Sequence, residues 1–225
     1  MSNTRLEAVL WDLDGVIADT ADYHYRAWED VLGKRGVNFS KDDFMRLFGQ
    51  RHDTIIRFAL GENISPEDFE AITREKQANY RRRVADNIRP LPGAIELIKS
   101  LQEHGVKSAI ASSAPMENIE IIIRELGIEN YFQTIAWGTE VAEGKPSPQI
   151  FLLAAKKLGV QAGNCAVIED SIAGVAAAKR AGMKCVAVTN SHPRNSLKKA
   201  DLIVDTLEAV TIADLVGLFH PNKAG

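Results

Sequence analysis

Six short apolar runs of strand length punctuate the chain, at residues 8–11, 108–111, 134–137, 166–168, 185–188 and 202–204. After Pro90 they alternate with amphipathic stretches of helical length, such as 117–126, 149–158 and 172–181. That alternation predicts an α/β fold, a parallel sheet with helices on its faces. Residues 21–86 break the rhythm, reading as helices with no convincing strand. The segment 88–93, Ile-Arg-Pro-Leu-Pro-Gly, carries two prolines and a glycine that stop one helix and set the entry of the next. A second hinge is expected just after Thr20. The expected organisation is therefore a core of residues 1–20 plus 87–225, with a small helical-bundle cap, 21–86, inserted after the first strand. A cleft is expected between the two.

Bulk properties narrow the function classes. With 225 residues the chain buries roughly 70% of its unfolded surface and needs no staples. A net charge of −3 offers no nucleic-acid or membrane surface. No apolar run nears the ~20 residues of a membrane span. The polar first seven residues do not resemble a signal peptide, and Cys165 and Cys185 each sit in an apolar run and read as reduced core thiols. A cytoplasmic protein is expected, with a monomer as its form.

Open parallel sheets bind ligands at the carboxyl ends of their strands, and chemistry-bearing residues collect there. The first run ends in Asp12-Leu13-Asp14-Gly15, the second in Ser112-Ser113, and the fourth in Glu169-Asp170-Ser171; Gly144-Lys145-Pro146 follows the third. Converging carboxylates repel, and a divalent cation relieves them. An all-oxygen set selects a hard ion such as magnesium, and no Cys/His spacing suggests zinc. The bland alternative makes Asp170 a helix cap and Asp12 and Asp14 parts of a turn. Ser112 and Ser113 precede a helix and serve either anion binding or N-capping. Lys145 pairs with a carboxylate or a phosphate, or is a solvated loop lysine. In the insert, Phe69, Ile72, Lys76 and Tyr80 share a helical stripe. Lys76 therefore either snorkels or points into the cleft. His24 and Trp28 share another stripe, where a histidine is more often packed than catalytic.

The stretch Trp11-Asp-Leu-Asp-Gly-Val-Ile-Ala-Asp-Thr20 resembles the first motif of the haloacid dehalogenase superfamily. Ser112, Lys145 and Glu169-Asp170-Ser171 with Gly174 match its second, third and fourth motifs in order. The insert, with His24, Trp28 and Lys76, resembles the cap of the subgroup containing β-phosphoglucomutase and many sugar-phosphate phosphatases. The resemblance implies a Rossmann-like core and Mg2+-dependent phosphoryl transfer through an aspartyl-phosphate on Asp12, with Asp14 as acid and base. It implies metal ligation by Asp12, Asp14 (through its carbonyl) and Asp170, with Glu169 alongside. It also implies phosphate binding by Leu13, Asp14, Ser112, Ser113 and Lys145. Thr20, His24, Trp28, Gly49, Arg51 and Lys76 are the substrate-side candidates, and tipping Lys76 toward the cleft follows from the same likeness. The expected partner is a small phosphorylated metabolite.

Two departures bear on the reaction. The mutases carry Gly-x-Ser-Arg in the cap, where this chain reads Gly49-Gln50-Arg51-His52. After the second-motif serine they carry polar and basic residues, where this chain has Ser113-Ala114-Pro115-Met116. Both changes touch contacts to a second phosphate, so a phosphatase is the expected activity and a mutase the alternative. A non-catalytic phosphate-ligand binder is the remote third reading, disfavoured because Asp12 and Asp14 are both present.

Overall fold

The computed structural model describes residues 5–48, 52–85 and 87–220. Gly49, Arg51 and Asp86 lie outside the described residues. Six parallel strands, β1 (Ala8–Trp11), β2 (Lys107–Ser112), β3 (Thr134–Trp137), β4 (Cys165–Glu169), β5 (Lys184–Val188) and β6 (Leu202–Val204), form one sheet in the order β3-β2-β1-β4-β5-β6. All six apolar runs are strands, each within a residue or two of its expected bounds.

Strand side chains alternate between two apolar layers. Val9 and Trp11 of β1 face one layer, Ala8 and Leu10 the other. The first layer packs against α5 (Ala94–Glu103), α6 (Met116–Glu125) and α9 (Ile212–Gly217); the second packs against α7 (Gln149–Leu158) and α8 (Ile172–Arg180). Both faces are covered, which is why the strands read as continuous apolar runs rather than alternating ones. Cys165 and Cys185 are fully buried free thiols, and burial pushes Cys165 up to about 12.

Between β1 and α5 lie four helices among the described residues: α1 (Ala21–Gly33), α2 (Lys41–Leu47), α3 (His52–Leu60) and α4 (Pro66–Val84). They enclose their own apolar cluster of Trp28, Val31, Phe39, Phe44, Phe48, Ile56 and Ile72. Lys76 lies on α4, the last of the four. Ser40 and Ser65 cap α2 and α4 by accepting the N–H of Asp43 and Asp68. The two connections to the sheet run side by side: Asp19 N–H donates to Arg89 O at 3.1 Å, and Leu91 N–H to Ile17 O at 2.9 Å. Gly93, at φ 80°, begins α5 where a Cβ would strike the backbone of Glu208, so a glycine is required there.

Candidate active site

β1 is one of the two central strands, beside β4. The chain leaves it toward β2 and β3 and later returns on its other side as β4, so the carboxyl ends of β1 and β4 flank the point where strand order reverses. Asp12 N–H donates to Ile168 O at 3.0 Å, which sets Asp12 beside Glu169 and Asp170. Carboxylate oxygens of Asp12, Glu169 and Asp170 lie within 4.8 Å of one another, all buried. Burial and the neighbouring carboxylates Glu169 and Asp14 push Asp12 up to about 7 against the pull of Lys145. Burial, Glu169 and Asp12 likewise push Asp170 well above the usual carboxylate range.

Glu169 spends its acceptors locally. Its Oε2 receives Asp170 N–H, Ser171 N–H and Ser171 Oγ at 2.8–2.9 Å, and its Oε1 pairs with Lys145. Ser171, not Asp170, is the N-cap of α8, its Oγ accepting Gly174 N–H at 3.0 Å. The bland capping role therefore belongs to the serine, and Asp170 is left facing the cluster. Lys145 Nζ bridges Asp12 Oδ1, at 2.8 Å, and Glu169, and is nearly inaccessible. Burial works against its charge, but Asp12 and Glu169 hold it above the ordinary lysine range.

Asp14 points elsewhere. Its Oδ1 accepts Thr20 Oγ1 at 2.6 Å and meets His24 Nε2 at 3.1 Å. Thr20 stands at the N-cap position of α1 yet makes no capping bond, because its hydroxyl is spent on Asp14. Lys76 Nζ lies 2.7 Å from His24 Nδ1, and the His24 ring stacks on Tyr80 with centroids 4.0 Å apart. An ammonium only donates, so a charged Lys76 makes Nδ1 the acceptor and leaves the Nε2 hydrogen for Asp14. Burial raises Asp14, but His24, Thr20 and Lys76 outweigh it and hold the carboxyl below its usual range. Burial and then Lys76 hold His24 low. Lys76 is fully buried, which excludes snorkelling, and burial pulls it down to about 7. Its Nζ also sits 5.4 Å from the Trp28 ring centroid and 4.9 Å from that of Tyr80.

Of the remaining candidates, Ser112 is the buried last residue of β2 and its Oγ accepts Ala114 N–H at 3.1 Å. Leu13 is buried, and its carbonyl accepts the N–H groups of Ile17 and Ala18, folding the chain after Asp12 into a tight turn. Ser113, Trp28, His24, Lys76, Asp14 and Lys145 all line one cavity of about 480 Å³ between the helical insert and the sheet. Thr73 Oγ1, also on its lining, is buried without a hydrogen-bond partner among the described residues.

The structure adds residues that the sequence reading passed over. Ser191 donates to Asp170 Oδ2, and Asn190 Nδ2 donates to Gly15 O at 2.8 Å. A Cβ on Gly15, at φ 80°, would collide with the same Asp170 carboxylate. Gln77 and Asn118 meet across the seam between insert and core. The stretch Thr-Asn-Ser-His at 189–192 follows the fifth apolar run, so the rule that singled out the other strand ends applies to it as well.

A family model for haloacid dehalogenase-like hydrolases matches residues 9–188. The β-phosphoglucomutase of Bacillus subtilis is 35% identical over 215 residues, covering 92% of each chain. A fructose-1-phosphate phosphatase of Escherichia coli is 33% identical over 185 residues, covering 82% of this chain and 97% of its own. The crystal structure of β-phosphoglucomutase from Clostridium difficile superposes with a TM-score of 0.87 at 32% identity, over 95% of this chain and 97% of that one. The chain belongs to the haloacid dehalogenase-like hydrolase family. It is an enzyme of phosphatase or phosphotransferase type, built on a Rossmann-like core with a cap.

Proposed function

We propose that the protein is a Mg2+-dependent phosphatase acting on a small phosphorylated metabolite such as a sugar phosphate. The observation that carries this is the division of labour between the first two aspartates. Asp12 faces Lys145 and the acidic cluster, while Asp14, two residues on, is held by Thr20 and His24.

The donor set fits a hard divalent cation: three buried carboxylates with one lysine between two of them leave excess negative charge, and the raised Asp12 and Asp170 report it. Asp12, Asp170 and the carbonyl of Asp14 would hold the ion, with Glu169 alongside. When bound, Mg2+ supplies positive charge to the phosphoryl oxygens. Asp12 attacks phosphorus and the phosphorus–oxygen bond of the ester breaks, giving an aspartyl-phosphate on Asp12. Asp14 gives its proton to the departing alkoxide and then takes one from the water that hydrolyses the intermediate. Asp14 is ionised in the free protein, so it must load a proton for the first half; the negative charge of an entering phosphate ester favours that. Ser112, Ser113, Lys145 and the N–H groups of Leu13 and Asp14 take the phosphoryl oxygens. Residues 21–86 act as the cap, seating the alcohol and limiting water. Trp28, Gly49, Arg51 and Lys76 are its proposed substrate-side residues. A monomer in the cytoplasm completes the reading.

Phosphorus NMR with Mg2+ and β-glucose 1-phosphate, primed with a trace of the 1,6-bisphosphate, separates the activities. Free phosphate is expected. Glucose 6-phosphate without free phosphate would establish the mutase, the second reading, which the 35% identity to a β-phosphoglucomutase favours. Asp12→Asn should abolish turnover; residual activity above about one part in a hundred contradicts a nucleophilic Asp12.

A further inference from the structure

β3 lies beside β2, and at its carboxyl end the chain makes a single 3-10 turn, Gly138–Glu140. Gly138 N–H donates to Ala114 O at 3.2 Å, and a Cβ there would strike Ser113 O. A glycine therefore lets this turn lie directly on the loop that follows β2. Ser113, Gly138 and Thr139 all line the cavity, and Thr139 is exposed.

The turn is braced from behind. Lys157 Nζ, on α7, donates to both carboxylate oxygens of Glu140 at 2.6–2.7 Å and to Ile135 O at 2.7 Å. The same ammonium sits 4.5 Å from the Trp137 ring centroid, a cation held against the indole face. The indole N–H donates to Thr139 Oγ1 at 3.0 Å. An indole N–H only donates, so it fills an acceptor position on that hydroxyl and leaves the hydroxyl hydrogen to be donated elsewhere. No acceptor for it exists among the described residues. The core thus carries, on the cavity lining, a hydroxyl donor whose orientation is set before a ligand arrives, which lowers the cost of engaging it.

We infer that Thr139 donates a hydrogen bond to an oxygen in the alcohol part of the substrate, a hydroxyl or ring oxygen beyond the phosphate ester, and that the Trp137 indole orients it. This rests on the phosphatase reading and names a selectivity contact within it. Sugar and polyol monophosphates carry such an oxygen. Phenyl phosphate does not.

Phosphate release with Mg2+ is measured for phenyl phosphate and for fructose 1-phosphate, glucose 6-phosphate, ribose 5-phosphate and glycerol 3-phosphate, and the best of these four is paired with phenyl phosphate. Thr139→Val keeps the side-chain shape and removes the hydroxyl. In it the ratio of kcat/KM for the oxygen-bearing ester to that for phenyl phosphate is expected to fall about fivefold, while Thr139→Ser holds the ratio within about twofold. Trp137→Phe keeps a ring against Lys157 without the N–H, and the ratio is expected to fall there by less than in the valine variant. Phenyl phosphate turnover reports in each case that the variant is folded. A ratio unmoved in Thr139→Val, or falling as far in Thr139→Ser, overturns the inference. A ratio unmoved in Trp137→Phe overturns the orienting role of the indole. Hydrolysis of phenyl phosphate with none of the four accepted leaves the phosphatase reading standing and overturns the inference. No phosphate from any ester overturns both.

Discussion

Asn118 Nδ2 donates to Gln77 Oε1 at 2.8 Å, joining α6 of the core to α4 of the insert. Both amides are buried, at 1% and 5% exposure, and Gln77 Nε2 continues the chain to the His52 ring at 3.2 Å. A buried amide left without its partner costs about 1–3 kcal/mol, whereas losing both partners costs less. Gln77→Leu and Asn118→Leu should therefore each destabilise, and the double variant should fall short of their sum by about 1 kcal/mol. Urea unfolding of the four proteins measures this. Strict additivity would show that the two amides do not act on one another.

Lys76 makes the opposite prediction for stability. Its pKa falls from 10.5 to about 7 on folding, chiefly through burial. The unfolded chain binds the extra proton between those values, so this group's contribution improves as pH rises from 7 to 10.5 and is poorest below 7. Lys76→Met removes the penalty. At pH 7 it should raise stability by about 2 kcal/mol, or about 4–8 °C in Tm, with the gain shrinking at pH 10. Activity should drop in the same variant, because the His24–Asp14 contact loses its support. A less stable methionine variant at pH 7 would mean that the bond to His24 outweighs the desolvation.

Ser191 donates to the carboxylate oxygen Oδ2 of Asp170, orienting that carboxylate beside Asp12 and Glu169. Removing such an orienting bond typically weakens metal binding 10–100-fold. Calorimetric titration of Mg2+ into Ser191→Ala should show that loss, with Ser191→Thr retaining most of the affinity. Unchanged affinity in the alanine variant would reduce the contact to loop packing.

The acidic cluster also sets a pH signature. Asp12 rises from 3.8 to about 7 on folding, mainly through burial and then through Glu169 and Asp14. A carboxyl raised in this way stabilises the fold below its unfolded value, and that stabilisation is lost as pH climbs through the folded value. The protein stripped of divalent ions should lose stability from pH 4 to pH 7. The thermal shift produced by Mg2+ should be larger at pH 8 than at pH 5, since the ion binds the ionised cluster. A shift that is flat in pH would remove Asp12 from the ligand set.

Much of the core was legible because its signals are local. Apolar runs such as 134–137 and 202–204 need only their own composition to declare a buried strand, and Asp12, Asp14, Ser112, Glu169 and Asp170 follow directly on such runs. Lys76 was half legible: its place on an apolar stripe put it at a boundary, but stripe position cannot tell a snorkelling lysine from one with a buried histidine as partner. The Gln77–Asn118 bond, between residues 41 apart on different elements, leaves no periodic trace. Ser191 and Asn190 look like ordinary loop residues until the loop folds back over Gly15 and Asp170. Proximity that arises only from tertiary closure is where reading by pattern stops.

The insert leaves and re-enters the core through two connections hydrogen-bonded to each other, with Asp19 paired to Arg89 and Ala18 bridged to Pro90. Its ends meet within the width of a β-ribbon, yet Ala27, Tyr80 and Val84 of the insert also pack into the apolar layer on one face of the sheet. A short turn spliced from residue 19 to residue 89 would close the chain but uncover the part of that layer on which Ala27, Tyr80 and Val84 lie. The insert is thus moored twice, by a ribbon at its ends and by a shared oily seam along its flank.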